Sequence, residues 1–249
     1  MADRYFVGSG NYGDPARWSA TDGGAGGQSV PTDADAVYFT ANSGDCTINT
    51  IRVAGSVTCT GYTGTLTMSY ALTIYGSLTL ASGMTIAGSA TLTITRASTL
   101  TSNGKTWPTP FIFVGNYTHT LADDWTFTAS VTVGTGTSTV CTIDGNKIYA
   151  SGGVVQGQST TGYTEGTTVL RITGGTWSAS TTTATGALRL PVVIAGDVTV
   201  TAGVRVVLAT IQIESGTLTT VDGAMIDADA GGSPIRRVLR GSVIGGLLR

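Results

Sequence analysis

Apolar and polar positions alternate in short triplets between residues 66 and 102, and the triplets recur at nearly constant spacing. Four of them, six residues apart, share an apolar–Thr–apolar pattern: Leu66-Thr67-Met68, Leu72-Thr73-Ile74, Leu78-Thr79-Leu80 and Met84-Thr85-Ile86. Two looser copies, Leu92-Thr93-Ile94 and Leu100-Thr101-Ser102, lie eight residues apart. A period of two is typical of a strand, and it places the outer residues of each triplet on one face and the threonine on the other.

Strands this short leave their apolar face uncovered unless another layer of chain lies on them. Stacked coils provide that layer, because each coil closes the core of its neighbour. The pattern therefore predicts an all-β fold, a single-stranded parallel β-solenoid with roughly 20 residues per coil. We expect the right-handed β-helix, and a β-sandwich or jelly roll is the alternative, since many short strands also suit those folds.

Helix signals are nearly absent between residues 40 and 225, where Gly or Thr interrupts every apolar period. The predicted strands lie near 51–53, 56–60, 64–68, 71–75, 77–80, 83–86, 90–95, 98–101, 111–114, 125–133, 139–143, 147–150, 168–173, 191–195, 197–201, 204–208, 211–214 and 217–221. An uncovered end coil would offer unpaired backbone groups to other chains. We therefore predict an N-terminal cap over 1–45, a solenoid body over 46–225 and a C-terminal basic and apolar attachment tail over 226–249.

Composition narrows the classes of function. Charged residues make up 11% of the chain, the net charge is −2, and the 46 threonines contrast with two lysines. Nucleic-acid binding is not expected, because no basic cluster precedes residue 236 and a phosphate backbone needs a positive field. Membrane insertion is not expected either, since no run of about 18 apolar residues occurs, and the first ten residues do not resemble an export signal.

The three cysteines, Cys46, Cys59 and Cys141, are odd in number and lack C-x-x-C spacing. This favours buried thiols over a disulfide framework or a zinc site, in keeping with assembly in a reducing cytoplasm.

Residues 8–13 match G-x-G-x-x-G, but Asp14-Pro15 follows where a dinucleotide site needs a helix. We expect a glycine turn there, and no cofactor.

Alternate aspartates at 33 and 35 and at 227 and 229 are read as solvated turns, with calcium as the lesser alternative because the spacing of a calcium loop is incomplete. No metal site is predicted. Glycoside cleavage, which needs two carboxyl groups, is the enzymatic alternative. Its candidates are Asp123, Asp124, Asp144 and Glu165.

Polar turns are the expected role of Asp123, Asp124 and Asp144, and the chain has only two glutamates, so we predict no catalytic residue and a protein that is not an enzyme. The single histidine, His119, is expected to point outward from a strand. Five aromatic residues are assigned to core stacks or corner packing, with a sugar-stacking surface as the alternative: Trp107, Trp125, Trp177, Tyr117 and Tyr163.

Basic residues are concentrated in the C-terminal tail. Four of the 13 fall in the last 14 positions, and no acid follows Asp229. Two interpretations stay open, a cap folded over the last coil and a docking peptide that orders against another protein. The candidate partner-binding residues are Ile235, Arg236, Arg237, Val238, Leu239, Arg240, Val243, Ile244, Leu247, Leu248 and Arg249.

Residues 4–39, RYFVGSGNYGDPARWSATDGGAGGQSVPTDADAVYF, resemble the opening module of phage and prophage virion proteins of β-helical type, and loosely the lead-in of autotransporter-like β-helix repeats. The residues that carry the likeness are Trp18, Pro31, Asp35, Val37 and Phe39. The ending LRGSVIGGLLR is similar to short tails of phage structural proteins. The resemblance implies a location in the virion, assembly in the bacterial cytoplasm, other capsid or tail proteins as partners, and a homo-oligomer such as a trimer.

These observations lead us to expect a non-enzymatic structural protein, a capsid decoration protein or short fibre attached through its tail. A receptor- or glycan-binding adhesin or tailspike is the alternative, and a polysaccharide depolymerase is less favoured.

Overall fold

The computed structural model describes residues 1–136, 140–158, 163–179, 187–201, 205–208, 211–220, 225–228 and 243–245. The described chain is almost entirely β, with 2% helix, and its parallel coils stack into a β-solenoid of about 8 turns. The predicted fold class is confirmed. Within these residues, no helix has the length and apolar character that crossing a membrane would require.

Each coil contributes one strand to each of three faces, so strands that pair with one another differ by three in number. Face A consists of β1 (Asp3–Phe6), β4 (Ala36–Thr40), β7 (Ser56–Thr60), β10 (Leu78–Thr79), β13 (Ser98–Thr101), β16 (Thr118–Leu121), β19 (Val140–Gly145), β22 (Tyr163–Glu165) and β25 (Ala187–Leu188).

Face B is divided into two sheets. The first holds β2 (Gly8–Asn11), β5 (Ser43–Ile48), β8 (Thr65–Met68) and β11 (Thr85–Gly88). The second holds β14 (Thr106–Trp107), β17 (Trp125–Phe127), β20 (Ile148–Ala150), β23 (Leu170–Ile172), β26 (Val192–Ala195) and β29 (Ile211–Ser215).

Face C consists of β6 (Arg52–Ala54), β9 (Leu72–Ile74), β12 (Leu92–Ile94), β15 (Phe111–Phe113), β18 (Val131–Gly136), β21 (Val154–Gln158), β24 (Gly175–Ala179), β27 (Val198–Val200) and β30 (Thr217–Thr220). The remaining elements are a 3-10 helix (Pro15–Arg17), β3 (Trp18–Ser19), the pair β28 (Arg205–Leu208) and β31 (Met225–Ala228), and β32 (Val243–Gly245).

The pairing register explains the six-residue repeat. Leu72 pairs with Leu92, and Leu92 pairs with Phe111, so one turn of the solenoid takes about 20 residues here. Three apolar triplets fit into one such turn, one on each face. The repeat therefore marks successive strands within a coil, and the coils themselves stack residue on residue.

The core lies inside the three faces. In the triplet of β9, Leu72 and Ile74 are buried while Thr73 is half-buried and points outward, as the alternation predicts. The stack continues on face C through Phe111, Val131, Val154 and Trp177, all fully buried. Parallel in-register pairing thus places apolar side chains in continuous internal columns.

The N-terminal end of the solenoid is closed by aromatic residues. Trp18 is fully buried, with its ring 4.7 Å from that of Tyr12 and 5.2 Å from that of Phe6, and its Nε1 donates to the Tyr12 carbonyl at 2.7 Å. The short β3 pairs antiparallel with β1. An antiparallel strand on this edge breaks the parallel stacking and covers backbone groups that would otherwise be open to other chains.

The other end carries a similar feature. β32 pairs antiparallel with β30, with Ile244 opposite Leu218 and Val243 opposite Thr219. Part of the predicted tail is thereby held on the last coil of face C. Residues 229–242 and 246–249 of the tail lie outside the described residues.

Candidate functional site

Two of the candidate catalytic carboxylates bind backbone groups of neighbouring coils. Asp123 accepts hydrogen bonds from the backbone N–H groups of Ser102 at 2.7 Å and Asn103 at 2.6 Å. Asp124 accepts from the backbone N–H of Lys147 at 2.9 Å. These contacts satisfy corner amides that have no partner within a strand, so both acids tie adjacent coils together.

Asp144 has the same role one coil further on. Its Oδ1 accepts from the backbone N–H of Thr167 at 2.9 Å and from the Thr167 hydroxyl at 3.1 Å. Glu165 lies on the neighbouring strand β22, in register with Thr142 of β19. The structure therefore gives Asp123, Asp124 and Asp144 the role of caps between coils and places Glu165 on a strand.

Sequence reasoning missed the pattern to which these contacts belong. Asp45 accepts from the backbone N–H of Thr65 at 2.7 Å, and Asp197 accepts from that of Thr217 at 2.9 Å. In each of these pairs the threonine follows the aspartate by 20 residues, one coil length. An aspartate followed by a threonine one coil length later is the sequence signal that would have identified Asp45 and Asp197 as caps.

We expect Asp144→Ala to lower the free energy of unfolding by about 1–2 kcal/mol, because the backbone N–H of Thr167 loses its acceptor. Urea denaturation followed by circular dichroism measures the change. The matched control is Asp33→Ala, since Asp33 is exposed and its carboxylate accepts no hydrogen bond from the described residues. Equal destabilisation by the two variants would contradict the capping role.

The prediction for His119 is wrong. The ring is fully buried inside the solenoid, 5.4 Å from the ring of Phe113. Its Nδ1 lies 2.9 Å from the Ser98 hydroxyl, and its Nε2 lies 3.0 Å from the carbonyl oxygen of Val114. A carbonyl can only accept, so Nε2 carries the proton and Nδ1 accepts from Ser98, which fixes the neutral ring. His119 and Leu121 alternate with the exposed Thr118 and Thr120 along β16, so the strand period places the ring on the inner face together with Leu121.

His119 should make the stability depend on pH. Burial lowers the pKa of its ring below the ordinary 6.5, although the hydrogen bond to Val114 opposes this. The unfolded chain therefore binds the proton more readily, and stability is complete above about pH 6.5 and falls as the pH drops below it. We expect the urea midpoint to decrease between pH 7.5 and 5.5.

The control is His119→Asn, which removes the only histidine of the chain. Its midpoint should change less over the same pH interval, whatever its absolute stability. A pH dependence equal to that of the native chain would exclude His119 as the responsible group.

The thiols lie as predicted. Cys46, Cys59 and Cys141 are all free and buried, and burial raises the pKa of Cys59 and of Cys141 to about 12.

The described residues contain no group of three or more His, Cys, Asp or Glu side chains that could hold a metal. Asp35 instead accepts from the backbone and hydroxyl of Thr32, at 2.9 and 2.8 Å; burial alone would raise the pKa of Asp35, but these hydrogen bonds lower it.

The sugar-stacking alternative fails for the tryptophans, since Trp107, Trp125 and Trp177 are all fully buried. Tyr117 is 36% exposed, and the ring of Tyr163 is covered by the Arg189 guanidinium, 4.0 Å from its centroid. Core packing is therefore the role of these three tryptophans.

The glycine motif at 8–13 forms β2 and the turn after it, and the next element is the 3-10 helix. Asp14 caps that helix through a hydrogen bond from the backbone N–H of Ala16 at 2.9 Å. Arg17 lies against Gly10, where a Cβ would meet its side chain. The geometry belongs to the closed N-terminal end and does not form a nucleotide site.

Of the predicted partner-binding residues, Val243 and Ile244 lie in β32, paired with the last coil. The others lie outside the described residues: Ile235, Arg236, Arg237, Val238, Leu239, Arg240, Leu247, Leu248 and Arg249. Their docking role stays a prediction.

The residues that carry the resemblance stated above lie together at the N-terminal end. Trp18, Pro31, Asp35, Val37 and Phe39 are all buried. Comparisons of this chain with protein-family models, with curated proteins and with solved structures give no match. Function is therefore argued from the geometry and the residues.

Proposed function

We propose that this chain is a non-enzymatic structural protein of a phage particle, a capsid decoration protein or short fibre that attaches through its C-terminal segment. The proposal rests on one observation: the side chains that could act in catalysis instead form hydrogen bonds that hold the coils together. Asp123, Asp124 and Asp144 cap neighbouring corners, and His119 is hydrogen-bonded inside the core.

A mechanical role fits this construction. Repeated backbone pairing along three faces makes a stiff body in which each coil supports the next. Threonine hydroxyls on the outer surface keep the body hydrated with few charges. The closed aromatic N-terminal end coincides with the segment that resembles virion proteins.

Attachment is proposed at the opposite end. β32 is held on β30, at the end of the solenoid opposite the aromatic N-terminal end. The tail contains four arginines, and no acid follows Asp229. We expect these arginines to pair with an acidic surface on a capsid or tail protein. We propose other virion proteins as partners and a homo-oligomer, such as a trimer, as the mature form.

The test is incorporation into particles. Deleting residues 233–249 should abolish incorporation, and full incorporation of the truncated chain would overturn the docking role. Because the deletion also removes β32, a second variant, R236Q/R237Q/R240Q, keeps that strand and removes only charge. We expect it to incorporate poorly, with the loss increasing with ionic strength, while Arg189→Gln in the body incorporates normally.

A further inference from the structure

A groove of about 570 Å³ runs along the outer surface where face C turns into face A, over the first coils. Its floor is formed by the corner residues Gly55 and Gly76 and by Ser56, Thr58 and Ser77 of the adjoining strands. Three of these five residues present hydroxyl groups. The volume lies in the range of sites that bind small organic ligands, roughly 300–1,000 Å³.

The glycines keep the floor open. A Cβ on Gly76 would lie 2.7 Å from the carbonyl oxygen of Gly55, and one on Gly55 would lie 2.8 Å from that of Asp35. Coils only about 4.8 Å apart leave no room for a side chain at this corner. The result is a shallow channel of backbone and hydroxyl groups that crosses several coils.

One side of the groove carries a positioned cation. Arg96 is exposed, and its guanidinium lies over the ring of Tyr75, 4.8 Å from the centroid. Within the described part of the chain, no carboxylate lies within ion-pairing distance of Arg96. The ring holds the guanidinium in place without neutralising it, and this leaves its N–H groups available for a carboxylate.

The groove also contains Asp33, an exposed acid that accepts no hydrogen bond from the described residues. A carboxylate of this kind binds sugar hydroxyls, which are donors. Nucleic acid carries a phosphate at every nucleotide, and a groove with one arginine beside one acid would leave most of these charges unpaired, whereas a single carboxylate among neutral sugars can pair with Arg96 at a distance from Asp33. The combination of hydroxyls, one acid and one free arginine matches a sugar chain that carries carboxylates.

We propose that this groove binds an acidic oligosaccharide, with Arg96 on a sugar carboxylate and with Asp33, Ser56 and Ser77 on sugar hydroxyls. The inference goes beyond the structural role proposed above and does not depend on it, because it rests on the body of the solenoid alone. It gives a decoration protein or fibre a contact with an acidic glycan at a cell surface.

Calorimetric titration of the full chain tests the proposal, with sialyllactose and a hyaluronan tetrasaccharide as probes, because their carboxylates lie among neutral sugars. The carboxyl-reduced form of each probe is the matched ligand control. We expect binding of at least one acidic probe, about tenfold weaker binding by Arg96→Gln and by the carboxyl-reduced sugar, and no change in Arg189→Gln. Arg189 is a matched control, because it also covers a tyrosine, Tyr163, outside the groove.

Amide chemical shifts supply a second readout that does not depend on any variant. Binding in the groove should move the signals of residues 55–58 and 75–77 and leave those of the tail unchanged. Absence of binding by both acidic probes, equal binding of the carboxyl-reduced sugars, or shifts confined to another surface would each overturn the proposal.

Discussion

Replacing Phe111 with alanine is expected to lower the free energy of unfolding by about 3–5 kcal/mol. Phe111 is fully buried, and its ring lies between 4.9 and 5.7 Å from four other rings of the same coil and the next. These partners are Trp107, Phe113, Trp125 and Phe127. Removing the central ring leaves a cavity that the stiff stacked coils cannot close.

The matched control is Ile112→Ala on the same strand. Ile112 is half-buried and lies between Thr93 and Thr132 on the outer side of face C. We expect a loss below about 1 kcal/mol. Denaturation in guanidinium, followed by tryptophan fluorescence, measures both variants. Similar losses at positions 111 and 112 would mean that the strand is not oriented as described.

The second large effect is expected for Gly145→Ala, about 3–4 kcal/mol. Gly145 has a φ of +105°, and a Cβ there would clash with the carbonyl oxygen of Leu121 on the coil below. The same oxygen accepts hydrogen bonds from the backbone N–H and side-chain amide of Asn146, at 3.3 and 3.0 Å. Alanine therefore both strains its own backbone and separates two paired coils.

Gly104→Ala isolates the conformational part of this effect. Gly104 has a φ of +74°, but a Cβ there would meet nothing within 4 Å. We expect a loss of about 1 kcal/mol, the cost of a left-handed conformation for an L-residue. Thermal unfolding by calorimetry compares the two. If Gly104→Ala is as damaging as Gly145→Ala, contact between coils is not the cause.

Two of the strands outside the predicted ranges, β14 (Thr106–Trp107) and β24 (Gly175–Ala179), lie among weak strand formers. Gly, Lys and two prolines surround β14, and glycines precede and begin β24. They form because partners on neighbouring coils hold them: Trp107 pairs with Phe127, and Trp177 with Val154. The single strand predicted at 125–133 is divided between β17 and β18, because the chain turns a corner that the apolar run does not reveal.

The candidate site was predictable only in part. The acids Asp123, Asp124 and Asp144 are identifiable as corner residues from their neighbours, but their partners lie one coil away. A spacing of 20 to 23 residues between a carboxylate and the amide it caps has no local signature. The groove at Arg96 was missed for the same reason, since its floor comes from two separate segments, one coil apart.

The sequence by itself determined the class of fold, because apolar–Thr–apolar triplets too short to cover themselves require stacking. It also determined that the threonines of these triplets face outward and that the three cysteines are buried. Only the tertiary structure decided which groups hold the buried His119 ring, that three of the acids act as caps and that Arg96 borders a groove. Alternation along a strand is a local property of the backbone, whereas the register between coils depends on packing between residues about 20 positions apart.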